Sequence, residues 1–209
     1  MEIKWYGHSC FKVKGKNTSI VFDPYSPGST GYDMGNISAD IVAISHNGTA
    51  HNYEAGVGGK RKVLNGPGEY EIGDAIIIGV LSARDITDGQ TRGKNTIYCV
   101  ELDELNICHL GDVGHNLSDE QLGEIGQVNV LMLPIGGSLG VKGAVALINK
   151  LQPQIVLPMC YGTEKNDFKY TPVKDFLKEF GAEDLLPQPV FKLNKNSIPL
   201  TMQICLLEA

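Results

Sequence analysis

The sequence predicts a mixed α/β fold in which helices pack outside two β-sheets. In the first half, short apolar runs separated by many of the 25 glycines predict antiparallel strands joined by tight turns. Strands alternate with helical patterns in the second half. The runs 128–133 and 155–157 are almost entirely apolar, which is typical of strands buried on both faces. The length of 209 residues fits a single domain over 1–209.

Apolar runs bounded by turn-forming residues predict the individual strands. In chain order these runs are 3–6, 10–13, 19–22, 41–44, 62–64, 70–72, 75–80, 96–101, 105–109, 128–133, 155–157, 190–193 and 202–206. The segments 47–60 and 162–170 lack such runs and are predicted to be loops. Long loops in a compact domain often carry function.

Three helices are predicted in the second half of the chain. The first begins at Ser118, whose hydroxyl can cap it, with Gln121 placed to complete a capping box. The second spans 141–151. The third starts at Pro172, presents an apolar face, and ends at Gly181.

The composition argues against several classes of function. A net charge of −6 makes a broad basic surface for nucleic acid unexpected. No apolar run reaches the roughly 18 residues of a membrane span, so neither a membrane span nor a signal peptide is predicted. The five cysteines are an odd number without regular spacing, which predicts reduced thiols in a cytoplasmic protein. Four of them are expected to be buried: Cys10, Cys99, Cys108 and Cys205.

Candidate functional residues follow the ends of apolar runs at five places. They are His46, His51, Arg84, Asp112 with the nearby His115, and Cys160. Side chains at the ends of neighbouring strands collect at one rim of a sheet, where sites form in α/β proteins. A single histidine after a strand is more simply a residue that anchors a loop by hydrogen bonds. The five places together favour a functional site.

Short motifs through most of the chain resemble the metallo-β-lactamase superfamily. They are 5–11 (WYGHSCF), 22–24 (FDP), 44–46 (ISH), 66–72 (GPGEYEI), 92–97 (RGKNTI), 109–115 (HLGDVGH), 133–137 (LPIGG) and 153–161. Their order and spacing are similar to the branch that contains ascorbate-6-phosphate lactonase and related metal-dependent hydrolases. The resemblance implies a four-layer αβ/βα sandwich of two mixed sheets flanked by helices. It also implies oligomers, because related lactonases assemble.

The resemblance also implies a site for two metal ions, zinc, manganese or iron, at the sheet rim. His46 matches the first histidine of the family's metal loop, and His51 matches the last. Asp112 matches the carboxylate that bridges the two ions. Cys160 stands where the family usually has its final histidine. Asp23 resembles the buried aspartate that braces the metal loop.

Three positions depart from the family's ligand pattern: Gly48, Ala50 and Arg84 stand where a histidine, an aspartate and a histidine are expected. The first metal would keep only His46 and Asp112, beside a guanidinium, which is too little to hold a divalent ion. The second would keep His51, Asp112 and Cys160. Three protein ligands plus a water form a known zinc arrangement.

Two further histidines, His8 and His115, belong to the family's local patterns Gly-His-Ser and Gly-Asp-x-Gly-His. Either could contact a substrate or support the pocket, and either could be a turn histidine whose ring bonds the backbone. For His8 the turn reading is the simpler one. The predicted catalytic residues are Asp112 and His115, and the predicted pocket residues are Asp23, Arg84 and His8.

The predicted function is that of a metallo-β-lactamase-fold protein whose two-metal site is degenerate. It is a catalytically impaired or non-catalytic relative that binds a small anionic molecule at Arg84, with no metal and with Arg84 paired to Asp112. The alternative is a hydrolase of a small phosphorylated, lactone or ester substrate that uses one zinc on His51, Asp112 and Cys160. A third reading, metal-free hydrolysis by Cys160, needs His115 or His51 as its base.

Overall fold

The computed structural model describes residues 1–59, 62–166 and 168–209. Within these ranges two large sheets face each other, and their strands are numbered in chain order. The first sheet has six strands, from edge to edge β14 (Phe191–Lys192), β1 (Glu2–Trp5), β2 (Phe11–Lys14), β3 (Ser19–Phe22), β5 (Ile41–Ala43) and β7 (Lys62–Leu64). The second has seven, β15 (Gln203–Ile204), β13 (Ile155–Met159), β12 (Val130–Pro134), β11 (Leu105–His109), β10 (Lys94–Leu102), β9 (Ala75–Ala83) and β8 (Gly68–Ile72).

Both sheets are mixed. In the first sheet β1, β2 and β3 are antiparallel, as the meander pattern predicts, and β3, β5 and β7 are parallel. In the second sheet β8 to β11 are antiparallel, and β11, β12, β13 and β15 are parallel. Every residue of β12 and β13 is buried, which confirms the prediction from their apolar sequences.

The main core fills the space between the two sheets. Inward-facing side chains of the first sheet, such as Ile20 and Phe22, pack with those of the second, such as Ile97 and Ile107. These residues alternate along their strands with outward-facing ones, as the period of two in a strand requires. The predicted architecture of two facing mixed sheets is therefore confirmed.

The three helices are α1 (Asp119–Ile125), α2 (Gly140–Leu151) and α3 (Val173–Lys178). Ser118 and Gln121 form the predicted capping box at the start of α1. Helix α1 contacts β9 and α2 contacts β12, so both cover the outer face of the seven-stranded sheet. The longest described helix has 12 residues, and none of those described is long and apolar enough to cross a membrane.

The outer face of the six-stranded sheet is covered differently. A second apolar cluster joins Val21 and Val42 of the sheet to Tyr25, Ile37 and Val57. Ile37 and Val57 belong to a small parallel sheet of β4 (Ile37–Ser38) and β6 (Val57–Gly58), with a 3-10 turn at Glu54–Gly56 beside it. Neither short strand is predicted from the sequence, because two residues are too few to show a period.

Each predicted strand overlaps an observed one, but the prediction of a loop over 47–60 is partly wrong, because it contains β6 and the 3-10 turn. Lys60 and Asp167, which fall in the two predicted loops, lie outside the described residues. The cysteine predictions are also corrected at one place. All five cysteines are free and four are buried, but Cys99 is half-buried rather than buried.

Helix α1 offers a matched pair of stability changes. Ser118→Ala removes the hydroxyl that accepts the Gln121 N–H, and we expect it to lower the free energy of unfolding by about 1 kcal/mol. Gly123→Ala, in the same helix, adds a methyl group into open space and should raise the free energy of unfolding by up to about 1 kcal/mol. Urea unfolding measures both. Changes of the same sign would contradict this account of the helix.

Candidate functional site

The ends of several strands from both sheets meet at one rim. Strands β3 and β5 are parallel, and β9 is antiparallel to β10, which is antiparallel to β11, so β9, β11, β12 and β13 share one direction. Backbone hydrogen bonds join the two sheets here, from Thr96 N–H to the Ser45 carbonyl at 2.8 Å and from Cys160 N–H to the His8 carbonyl at 3.1 Å. The rim therefore holds the residues that directly follow these strands.

Asp23 follows β3 and is fully buried. Its carboxylate accepts hydrogen bonds from the Ser45 N–H at 2.8 Å, the Ser45 hydroxyl at 2.7 Å and His51 Nδ1 at 2.7 Å. Burial alone would raise the pKa of Asp23, but its electrostatic interaction and hydrogen bond with His51 hold that pKa below its ordinary value. This is the loop-bracing position that the resemblance implies.

The network around Asp23 fixes how His46 and His51 present their rings. The ionised carboxylate only accepts, so His51 Nδ1 carries a proton and, in the neutral ring, Nε2 is the acceptor. The Ser45 hydroxyl donates to Asp23, so His46 Nδ1 donates to the Ser45 oxygen at 3.0 Å, and Nε2 is again the free acceptor. The pKa of His46 is lowered to about 3, mainly by burial and next by the neighbouring His51. The charges of Arg84 and Arg92 lower this pKa further.

His8 is part of the same cluster. Its Nε2 lies 3.2 Å from His51 Nε2, and its ring stacks on Phe168 at 5.1 Å and on Tyr170 at 6.1 Å between centroids. Burial and the neighbouring His51 lower the pKa of His8 to about 3. The reading of His8 as a turn histidine whose ring bonds the backbone is wrong, because the ring bonds a side chain.

Asp112, after β11, is paired with two guanidinium groups. Arg84 Nε donates to Asp112 Oδ2 at 2.8 Å, and Arg92 Nη2 lies 3.2 Å from the same oxygen. Arg84 also donates to the Arg92 carbonyl, and Arg92 donates to the Ser138 hydroxyl. The direct pairing of Arg84 with Asp112 is as expected from the sequence.

Arg92 is the site residue that the sequence analysis did not single out. It lies eight positions after Arg84, in the turn between β9 and β10. Asp85 shapes that turn by accepting hydrogen bonds from Thr87, Gly89 and Arg92 N–H groups. A signal was available, since residues on the two sides of a turn between antiparallel strands lie close together, as Arg84 and Gly93 do here.

Asn95 sets the position of Asp112. Its side-chain oxygen accepts the Asp112 N–H at 2.9 Å, and its amide donates to the Leu110 carbonyl at 2.9 Å. Gly111 between them has φ +62°, and a Cβ there would lie 2.4 Å from the Asn95 oxygen. Only glycine fits this turn, which explains the Gly-Asp pair in the motif.

Cys160 follows β13 and is buried at the rim. Burial is the main reason that the pKa of its thiol lies well above the ordinary value, and the negative charges of Asp112 and Asp23 raise that pKa further. Only a hydrogen bond with Ser9 lowers it. Nucleophilic attack requires a thiolate, which is therefore costly here.

His115 stands at the side of the cluster. Its Nε2 accepts the Ala83 N–H at 3.1 Å, and its Nδ1 donates to the Asn116 carbonyl at 2.8 Å. Backbone groups bond both ring nitrogens, as expected of a histidine that braces a turn. A catalytic role for His115 stays a prediction. His109 is structural, since its Nε2 donates to the Ser9 carbonyl and its ring stacks on Phe22.

Three rim residues hold an unusual backbone conformation. His8, Asp23 and Cys160 have φ of +52°, +44° and +53°. This left-handed region costs a non-glycine residue roughly 1–2 kcal/mol. Such strain persists only where surrounding contacts determine it, and it concentrates at functional sites. Three of the seven described non-glycine residues with positive φ therefore lie at the rim, which supports a site there.

The donor set does not fit a two-metal site. Among the described residues, no three His, Cys, Asp or Glu side chains are grouped so that they could hold an ion. Gly48 and Ala50 supply no ligand, and Oδ2 of Asp112 is bonded to two arginines. A Cβ at Gly48 would lie 3.1 Å from His46 Nε2. Position 48 is therefore next to the site but lacks a donor.

The comparisons with known proteins agree with this fold. A family model described as the β-lactamase superfamily domain matches residues 2–160. The chain is 30% identical over 182 residues to a UPF0173 protein of Pyrococcus abyssi, covering 78% of this chain and 84% of the relative. It is 25% identical over 215 residues to a UPF0173 metal-dependent hydrolase of Methanopyrus kandleri, covering 88% and 91%.

A solved structure gives the same result. The structure of a proposed Zn-dependent hydrolase of the metallo-β-lactamase superfamily from Thermotoga maritima matches with a TM-score of 0.81 and 32% identity, covering 100% of both chains. The chain therefore belongs to the β-lactamase superfamily, with the metallo-β-lactamase fold. Within that class it belongs to the UPF0173 family.

The Asp23 network predicts a large stability effect. Asp23→Asn replaces a buried acceptor of three hydrogen bonds by a group that also donates, and we expect the free energy of unfolding to fall by about 3–5 kcal/mol. Asp88→Asn is the control, because its exposed ion pair with Lys94 should contribute no more than about 1 kcal/mol. Chemical denaturation compares them. Equal effects would show that the buried network is unimportant.

Proposed function

We propose that this protein is a non-catalytic, ligand-binding member of its superfamily, in which Arg84 and Arg92 replace the metal ions and bind a small anion. The proposal depends on one observation: both guanidiniums bond the same oxygen, Oδ2, of Asp112, the residue that matches the family's metal-bridging carboxylate. A cation at this point would have to displace both arginines or sit beside them. Impaired catalysis follows from the loss of the metal-dependent chemistry.

Electrostatics argues against a divalent ion at Asp112. Two unit charges about 4 Å apart interact by about 4 kcal/mol at an effective dielectric constant near 20, and a doubly charged ion would be repelled about twice as strongly by each guanidinium. The charges of Arg84 and Arg92 already contribute to the low pKa of His46. The positive potential that opposes a metal favours an anion.

The two arginines keep donors for a ligand. A guanidinium has five N–H donors, and the described residues accept only two hydrogen bonds from each arginine. Their side chains are 22% and 34% exposed, so the remaining donors can be reached from solvent. A carboxylate or phosphate group matches this planar arrangement of donors.

The alternative function is hydrolysis by one zinc on His51, Asp112 and Cys160. The names of several UPF0173 relatives imply a metal cofactor for the family. Against it, His51 Nε2 contacts His8 Nε2 at 3.2 Å, and the Asp112 carboxylate is paired with Arg84 and Arg92. Two of the three residues are therefore already engaged by other side chains, and this donor set does not fit the ion.

Anion binding gives the first test. We expect isothermal titration with inorganic phosphate to show one site, and Arg84→Gln or Arg92→Gln to weaken it about tenfold or more, since a charge-assisted hydrogen bond contributes about 1.5–3 kcal/mol. Lys192→Gln is the control, because Lys192 is exposed and pairs with Glu2 at the opposite end of β1. If phosphate and acetate bind the wild type and the two arginine variants equally well, the anion does not bind at Arg84 and Arg92, and the proposal is wrong.

Metal content gives the second test. Protein purified without chelator should contain far less than one zinc per chain. The triple variant Gly48→His, Ala50→Asp, Arg84→His should gain stoichiometric zinc, provided that the His46 ring shifts by a few tenths of an ångström to admit the new side chain. Elemental analysis measures both. One tightly held zinc in the wild type would favour the alternative function.

A further inference from the structure

A pair of thiols lies on β10 and β11, the two strands that lead to Asn95 and Asp112. Cys99 on β10 and Cys108 on β11 are directly opposite each other, with their sulfurs 3.5 Å apart. No role in the site described above uses either of them. The pair belongs to the hairpin that connects Asn95 to Asp112.

Directly opposed residues on antiparallel strands are either hydrogen-bonded or non-hydrogen-bonded pairs, and the backbone hydrogen bonds show which kind Cys99 and Cys108 form. Arg84 N–H bonds the Gly93 carbonyl, so on β10 the odd-numbered residues direct their backbone groups toward β9. On β11, the Asn106 and Leu110 N–H groups bond Asn129 and Met132, so the even-numbered residues face β12. Cys99 and Cys108 are therefore a non-hydrogen-bonded pair.

This class of pair has the geometry that a disulfide needs. Its Cα atoms are roughly 4.5 Å apart and its side chains are the closer ones in an antiparallel ladder. Disulfides span Cα separations of about 4.4–6.8 Å, so a bond requires side-chain rotation but no movement of the strands. Each sulfur already contacts the other, and the pair is in place for bond formation.

Of the two cysteines, only Cys99 is partly exposed to solvent. Cys99 is half-buried, Cys108 is buried, and both line a cleft of about 120 Å³ with Ile76 and Ile78. The other cysteines have no such partner: Cys10 donates to the Met34 sulfur, and Cys205 accepts from Gln188. A small oxidant can therefore reach one thiol of a pair whose second thiol is already in contact.

We propose that Cys99 and Cys108 are a redox modification site that a peroxide converts to a reversible intramolecular disulfide. Cys99 sulfur attacks one peroxide oxygen, which breaks the O–O bond and gives a sulfenic acid and one water. Cys108 sulfur then attacks Cys99 sulfur, loses its proton and releases the sulfenic oxygen as a second water. Two thiols are oxidised and one peroxide is reduced. Burial raises the pKa of Cys108, so Cys99 is the thiol that reacts first.

The crosslink would form close to the candidate site. Asn95 lies four residues before Cys99, and Asp112 lies four residues after Cys108. Continuing the strand register places Asn95 opposite Asp112, and the Asp112 N–H donates to the Asn95 side chain. Four residues along a strand span about 13 Å. The disulfide would fix the spacing of the two strands that hold Asp112.

The test uses the full chain and hydrogen peroxide. After treatment and removal of the peroxide, the protein is unfolded in urea so that iodoacetamide alkylates every free thiol, including the buried Cys108. A glutamate-specific protease then cuts after Glu101 and Glu104, which lie between the two cysteines. Trypsin would leave both in one peptide, because no Lys or Arg lies between Lys94 and Lys142. We expect loss of both alkylatable thiols and a linked Cys99–Cys108 peptide, with both reversed by dithiothreitol.

Single-residue variants separate the roles of the two cysteines. In Cys99→Ser, Cys108 should remain alkylatable after the same treatment, and in Cys108→Ala, Cys99 should accumulate as a sulfenic acid that dimedone traps. Cys205→Ala should leave the linked peptide unchanged. The proposal is overturned if both thiols survive while glutathione in the same tube is oxidised. It is also overturned if Cys99 proceeds to sulfinic acid beside a free Cys108, or if the link joins two molecules.

Discussion

The buried carboxylate of Asp23 is the constraint on which the rim depends. One side chain at the end of β3 bonds the backbone and hydroxyl of Ser45 after β5 and the ring of His51 in the following loop. These bonds decide which nitrogen of His46 and of His51 carries the proton in the neutral ring. A carboxylate without them would be a costly buried charge, so the network and the fold stabilise each other.

Around this brace, the rim has the family architecture, and its charged groups are now defined. The strand ends place His46, Asp112 and Cys160 at the rim, where two guanidinium groups contact Oδ2 of Asp112. A guanidinium is always charged and directs its donors in a plane, which suits recognition of an anion rather than activation of water. Membership of the family therefore defines the fold more firmly than the reaction.

Local sequence signals predicted the parts of the structure that depend on local chemistry. The Ser118 capping box and the doubly buried β12 follow from residues next to each other in the chain. The short strands β4 and β6 and the role of Arg92 depend on contacts between distant segments. Cys99 sits in an apolar run but on the outer face near the sheet's β8 edge, so its hydrophobic neighbours did not predict its exposure.

The left-handed backbone at His8, Asp23 and Cys160 has a consequence for how such proteins diversify. The shape of the rim is set by main-chain turns and by the hydrogen bonds of Asp23. Side chains at positions such as 48 and 84 take no part in those hydrogen bonds, so substitutions there change the groups that line the pocket rather than its outline. A rim of this kind lets a new specificity evolve by side-chain substitution alone.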